Sequence, residues 1–107
     1  MSRLVWLRFV NSRRLFVARK GVGTIEESAF EGVTSMTIVD AGNCQTIGKW
    51  AFKDTGLTKI RLPIDCEIND ATFYGLDQVY VFAPKGGSTE AFCNAPDHDN
   101  LIFIETN

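Results

Sequence analysis

Three cysteines and a single histidine are the residues of this chain best suited to metal binding or nucleophilic chemistry. Cys44, Cys66 and Cys93 could offer three thiolates and His98 an imidazole, a ligand set that zinc accepts. The cysteines lie 22 and 27 residues apart, however, without the Cys-x-x-Cys pair typical of zinc sites. We therefore expect no metal, and we interpret the three cysteines as buried or half-buried free thiols.

The other motifs that suggest chemistry are weak. His98 lies in the polar segment 96–100, where a solvated side chain is expected. Residues 42–49 resemble a phosphate-binding loop, but five residues intervene instead of four, and Trp50 replaces the hydroxyl residue that binds magnesium. The glycines of segment 85–88 could hold an anion, although a simple turn before a helix capped by Ser88 explains them better. We predict no catalytic residue, no cofactor and no small-molecule substrate.

An internal repeat dominates the middle of the chain. Residues 25–30, 47–52 and 68–73 each contain an isoleucine, three further residues, a small residue and a phenylalanine. Each is followed by a second apolar motif, at 33–38, 57–62 and 76–81. Linked motifs that recur in one order predict stacked coils, each contributing one short strand to a sheet. Phe30, Phe52 and Phe73 should then stack in the interior.

This pair of motifs resembles the BspA-like leucine-rich repeats of bacterial surface proteins and some protists. The second copy, residues 47–63, matches that family's repeat almost position by position, whereas the third has Thr72 where the family prefers alanine. Residues 81–92 are similar to the family's closing segment. The resemblance spans about residues 24–104. It implies an α/β fold: a small leucine-rich-repeat solenoid, strand-dominated with little helix, with about three repeats between two caps.

Composition and length favour one folded domain. The 107 residues are 45% hydrophobic and 22% charged, which is ordinary for a globular protein. We predict a single domain over 1–107, with an N-terminal cap (1–24), repeats (25–82) and a C-terminal cap (83–107). The first cap is predicted to contain strands at 4–10 and 15–18, and the second a strand at 101–104. The sequence shows no membrane span and no signal peptide, so we expect a cytoplasmic location, although relatives are often found at the cell surface.

Side chains that point out of the predicted sheet are the best candidates for a function. With the apolar positions 36/38, 60/62 and 79/81 directed inward, alternation places their neighbours on the open face. Adjacent strands lie about 4.8 Å apart, so these neighbours form contiguous columns. We predict a non-catalytic module that binds a protein partner, or a second copy of itself, through this face. The predicted partner-binding residues are Thr37, Val39, Lys59, Arg61, Tyr80, Phe82, Ile102 and Ile104.

The N-terminal segment suggests an alternative. Residues 1–25 carry six basic side chains and no acid, and the rest of the chain carries five basic residues against thirteen acids. A basic segment of this kind can bind phosphates, which makes a nucleic-acid-associated protein the second hypothesis. The chain as a whole is acidic, with a pI near 5.3, and contains no known nucleic-acid motif, so we favour the protein partner. The residues of the alternative site are Arg8, Arg13, Arg14, Arg19 and Lys20.

Overall fold

Short strands account for most of the regular structure. The computed structural model describes the backbone of residues 15–17 and the whole of residues 23–106. Within these ranges the elements are β1 (Leu15–Val17), β2 (Thr24–Ile25), β3 (Ile38–Asp40), β4 (Thr46–Ile47), β5 (Lys59–Arg61), β6 (Glu67–Ile68), β7 (Val79–Ala83), α1 (Ser88–Cys93) and β8 (Leu101–Glu105). The predicted strand-dominated architecture with little helix is confirmed.

The strands form two parallel sheets on different sides of a small β-solenoid of about four turns. The larger sheet has the order β1-β3-β5-β7-β8, and the smaller has the order β2-β4-β6. The repeats therefore supply two strands per coil, where the sequence indicated one. The second strand is only two residues long, so its alternation was too short to recognise.

Stacked aromatic rings form the centre of the solenoid. The rings of Phe30 and Phe52 lie 5.7 Å apart, and those of Phe52 and Phe73 lie 5.8 Å apart, centroid to centroid. All three side chains are buried, so the predicted interior stack is confirmed. Thr72, the departure from the family pattern, is also buried, and its hydroxyl donates a hydrogen bond to the carbonyl of Gly48 at 3.0 Å. This bond satisfies a polar group that would otherwise be costly to bury.

The turn after each phenylalanine requires a left-handed backbone conformation. Gly32, Asp54 and Gly75 occupy equivalent places in three successive coils, with φ values of 80°, 57° and 83°. Glycine adopts this conformation without strain, and aspartate is one of the few other residues that tolerate it. The Asp54 carboxylate fills the space where a Cβ on Gly75 would lie. The second and third coils are therefore matched to each other at this turn.

The C-terminal cap is fastened by hydrogen bonds to the segment that joins the second and third repeats. The predicted capping role of Ser88 is wrong, because Ser88 is the first residue of α1 and its backbone N–H donates to the Asp65 carboxylate at 2.8 Å. The Thr89 hydroxyl donates to the carbonyl of Pro63 at 2.7 Å. The Gly86 amide donates to the Glu90 carboxylate at 2.7 Å. Amides of this turn therefore already donate hydrogen bonds to the protein's own carboxylates. The turn interpretation of segment 85–88 is thus supported.

The aromatic stack continues into this cap and buries the histidine. Phe92 lies against Phe73, and the His98 ring stacks on Phe92 with the centroids 4.0 Å apart. His98 is 9% exposed, and its Nδ1 lies 2.6 Å from the carbonyl oxygen of Phe92. The expectation of a solvated histidine is therefore wrong. The polar neighbours of His98 gave no sign that its ring closes the end of an apolar stack.

Both ends of the array contain a strand that the sequence predicts. Strand β8 confirms the predicted last strand, and β1 lies within the predicted strand at 15–18. Strand β1 pairs in parallel with β3, so it extends the sheet of the repeats. The predicted strand at 4–10 and the turn that follows it lie outside the described residues. The three-part division of the chain remains a prediction.

Candidate protein-interaction face

The strand register sorts the large sheet into columns. Residues opposite one another in β3, β5, β7 and β8 share a direction, because pairing is parallel and in register. The inward column fills the core and consists of Val39, Ile60, Val81 and Phe103. We call the opposite side the outer face. Its first column contains Ile38, Lys59, Tyr80 and Ile102, and its second contains Asp40, Arg61, Phe82 and Ile104.

The expected outward positions in the first repeat are wrong by one residue. Val39 is 1% exposed and belongs to the core, whereas Ile38 is 38% exposed and takes the outward position. Thr37 lies before β3 and is not part of either column. The reason is an extra residue in this coil: nine positions separate Phe30 from Val39, but eight separate Phe52 from Ile60. Because β3 begins only at Ile38, alternation cannot be extended back through Met36.

The neighbours expected for Arg61 also change. The sequence motifs at 57–62 and 76–81, when superimposed, place Arg61 beside Tyr80. In the structure Arg61 pairs in register with Phe82, and Lys59 pairs with Tyr80. The motif alignment of the third copy differs from the observed register by two residues. A shift of two keeps each side chain on the same face of the sheet but changes the residue that lies beside it on the next strand. Lys59, Arg61, Tyr80, Phe82, Ile102 and Ile104 all lie on the outer face as expected. Ile38 and Asp40 are the members that the sequence did not indicate.

The C-terminal half of the outer face is apolar. Tyr80, Phe82, Ile102 and Ile104 are neighbours in β7 and β8, and each is half-buried. The Tyr80 hydroxyl lies 3.3 Å from the side-chain oxygen of Gln78, at the edge of this group. We call these four residues the apolar patch. Contiguous apolar surface of this kind is typical of interaction sites, whereas single exposed apolar residues are common everywhere.

An ion pair flanks the apolar patch on β3 and β5. Arg61 Nε donates to the Asp40 carboxylate at 2.9 Å, with both side chains partly exposed. The guanidinium lies directly against Gly42, where any Cβ would collide with it. Asp40 therefore orients Arg61, and Gly42 leaves room for it. Lys59 is exposed and has no ion-pair partner among residues 23–106, so the charge next to Tyr80 in the first column is positive.

The cysteines are buried free thiols, as the sequence indicated. The Cys44 sulfur lies 3.3 Å from the carbonyl oxygen of Thr46 and 3.7 Å from that of Gly23. The neighbouring Cys66 thiol lowers the pKa of Cys44, and the Cys44 thiol, together with burial, raises the pKa of Cys66. Burial raises the pKa of Cys93 to about 11. In the described part of the chain, no three His, Cys, Asp or Glu side chains are grouped closely enough to hold a metal.

The basic N-terminal residues and a possible membrane span are two other features that the sequence raised. The alternative nucleic-acid site, at Arg8, Arg13, Arg14, Arg19 and Lys20, lies outside the described residues. Among the residues that are described, no helix has the length and apolarity needed to cross a membrane. The basic segment therefore stays a sequence-based hypothesis.

Comparison with known families agrees with this architecture. The chain matches the family described as "BspA type Leucine rich repeat region (6 copies)" over residues 11–103. It belongs to the BspA-type leucine-rich repeat family, and the resemblance seen in the repeat motifs is confirmed. Proteins built from such repeats generally mediate protein interactions and are generally non-catalytic. No curated protein and no solved structure matches the chain.

Proposed function

We propose that this chain is a non-catalytic module that binds a protein partner through the outer face of its larger sheet. The observation that carries the proposal is the apolar patch formed by Tyr80, Phe82, Ile102 and Ile104. The inward neighbours of these residues, Val81 and Phe103 among them, already pack into the core. Within the described part of the chain, the patch residues therefore have no equivalent role in the core to account for their apolarity.

The composition of the outer face suits an interface. Tyrosine and arginine are enriched among residues that dominate binding energy, because each combines a large contact area with a polar group. Tyr80 and Phe82 lie on the same side of β7, and Phe82 is in register with Arg61 on β5. Since Asp40 already holds the Arg61 side chain, less conformational entropy is lost when a partner covers it.

The same residues define the chemistry of the partner. Its surface should be apolar where it covers the patch and should carry a carboxylate near Lys59, which lacks an ion-pair partner in the described structure. Charge complementarity of this kind mainly speeds association and selects the partner. A protein with an apolar site bordered by acidic residues satisfies both requirements. Self-association is less favoured, because Asp40, the carboxylate in the two columns of the outer face, already pairs with Arg61 and is not free to meet Lys59 of a second copy.

Site-specific crosslinking tests the proposal directly. A photoreactive phenylalanine analogue is placed at position 80 and, in a matched control, at Tyr74, which is 63% exposed and lies in a turn away from the sheet. We expect a partner to crosslink from position 80 and not from position 74. With that partner purified, Tyr80→Ala should weaken binding by about 2 kcal/mol, roughly a thirtyfold rise in Kd.

The folding controls make the outcome decisive. Tyr80→Ala and Tyr74→Ala should both keep a melting temperature close to that of the wild type, because neither side chain belongs to the core. The proposal fails if crosslinking is the same from both positions, or if Tyr80→Ala binds the partner as well as Tyr74→Ala does. A crosslink solely between two copies of this chain would replace a separate partner with self-association.

A further inference from the structure

Cys44 and Cys66 lie in adjacent coils. Cys44 lies between β3 and β4, and Cys66 lies between β5 and β6, so both occupy the same corner of the solenoid. The backbones of the two coils touch here, because the Glu67 amide donates to the carbonyl of Gln45 at 2.8 Å. Neighbouring parallel strands are about 4.8 Å apart, and the register of β4 and β6 places Cys66 beside Gln45, the residue that follows Cys44. The two cysteines are therefore one residue out of register on adjacent stretches of backbone, close enough for a disulfide to join them.

The two thiols are shielded from bulk water and lie close enough to affect each other's ionisation. Cys44 is 0% exposed and Cys66 is 3% exposed. The Cys66 thiol, assisted by the Thr46 and Ile25 backbones, lowers the pKa of Cys44 against the opposing effect of burial. Since the thiolate is the reactive form of cysteine, Cys44 is favoured as the first nucleophile.

A shallow depression leads to Cys66. Gln45, Asp65, Cys66 and Ser88 are among its lining residues, on the side where α1 rests on the third coil. The Ser88 hydroxyl accepts a hydrogen bond from the Cys66 amide at 3.2 Å, so the first turn of α1 covers Cys66. A small oxidant can therefore approach Cys66 from this depression, and a displacement of α1 would open the way to Cys44 in the adjacent coil.

We propose that Cys44 and Cys66 form an oxidation site at which a small peroxide converts the two thiols into a disulfide joining adjacent coils. The Cys44 thiolate attacks one peroxide oxygen, the O–O bond breaks, and the departing oxygen takes a proton to become water. The resulting Cys44 sulfenic acid is attacked by the Cys66 sulfur, which forms the S–S bond and releases the second water with the Cys66 proton. Two thiols are oxidised by two electrons, and one peroxide is reduced to two waters.

The disulfide would change the stability of the array. It would close a loop containing most of the second coil, from Cys44 to Cys66, and so restrict the unfolded chain. For a domain of this length the melting temperature should rise by about 10 °C or more. The bond would lie at a corner of the solenoid and not in either column of the outer face. The rise in melting temperature therefore does not require a partner bound to that face.

Peptide mapping of oxidised protein tests the proposal. Purified full-length chain is treated with equimolar hydrogen peroxide, and its free thiols are then alkylated. Trypsin cleaves between the two cysteines after Lys49, Lys53, Lys59 and Arg61, so an internal disulfide appears as two joined peptides. We expect this joined species, a mass lower by two hydrogens for the pair, and a higher melting temperature that a dithiol reductant reverses.

Matched cysteine variants separate the proposal from general thiol oxidation. Cys93→Ala, which removes the third buried thiol, should still form the link, whereas Cys44→Ala and Cys66→Ala should not. If either of the latter variants fails to fold, the maps of the wild type and of Cys93→Ala decide. Unreacted thiols, cysteine sulfinic acid without a link, a link through Cys93 or a link between two chains would each overturn the proposal.

Discussion

Removing the Phe52 ring is the most demanding test of the stacked core. Phe52 is fully buried and has a ring on each side, at centroid distances of 5.7 Å to Phe30 and 5.8 Å to Phe73. Truncation of a buried phenylalanine to alanine costs about 3–5 kcal/mol, and each aromatic contact adds about 0.5–1.5 kcal/mol beyond its area. Phe52→Ala should therefore fall at the upper end, near 5 kcal/mol.

That loss is comparable to the whole stability of a small domain, about 5–15 kcal/mol. Phe52→Leu, which keeps most of the buried volume, should lose clearly less and give a complete unfolding curve. Urea denaturation with linear extrapolation measures both, and Tyr74→Ala, the exposed neighbour, should change stability by less than about 0.5 kcal/mol. If Phe52→Ala costs no more than about 1 kcal/mol, the interior stack does not hold the coils together as described.

Two further predictions concern a turn and the N-terminal segment. Gly75→Ala should destabilise the fold by about 1–3 kcal/mol in urea denaturation, since it combines a φ of 83° with a collision against Asp54; Gly86→Ala, at φ 99° but with open space around it, should cost less, and an equal cost would show that the collision contributes nothing. For the basic segment, we expect that DNA and RNA at low ionic strength show no gel shift with this protein. A shift that disappears when Arg13 and Arg14 are both changed to Glu would establish the nucleic-acid alternative instead.

The interior of this protein could be predicted from its sequence because the spacing of large apolar residues repeats. Phe30, Phe52 and Phe73 recur at 22 and 21 residues, and a period so regular is compatible with few arrangements other than stacked coils. The side on which a strand residue lies is less secure. One additional residue in the first coil reversed the assignment of Val39, because alternation has a period of two and a shift of one changes the side.

Contacts between residues far apart in the sequence could not be predicted, for a different reason. Ser88 carries the sequence signature of a helix cap, yet the carboxylate that accepts its amide hydrogen comes from Asp65 in another coil. His98 is surrounded in sequence by polar residues, but its environment is set by Phe92 and by the end of the aromatic stack. In both places the local sequence shows only which residues are neighbours along the chain. The environment of each side chain is determined by residues that are distant in sequence and close in space.

The match between Asp54 and Gly75 limits how the array can grow. Repeat proteins lengthen by duplication of whole coils, and an inserted copy of the second coil would place one Asp54 turn directly beside another. The carboxylate of the first Asp54 would then meet the Cβ of the second, where only a glycine leaves room. A duplicated coil would be accommodated only after glycine, or another small change, appeared at this turn. The third coil of this protein is therefore specific, at this turn, to the coil that precedes it.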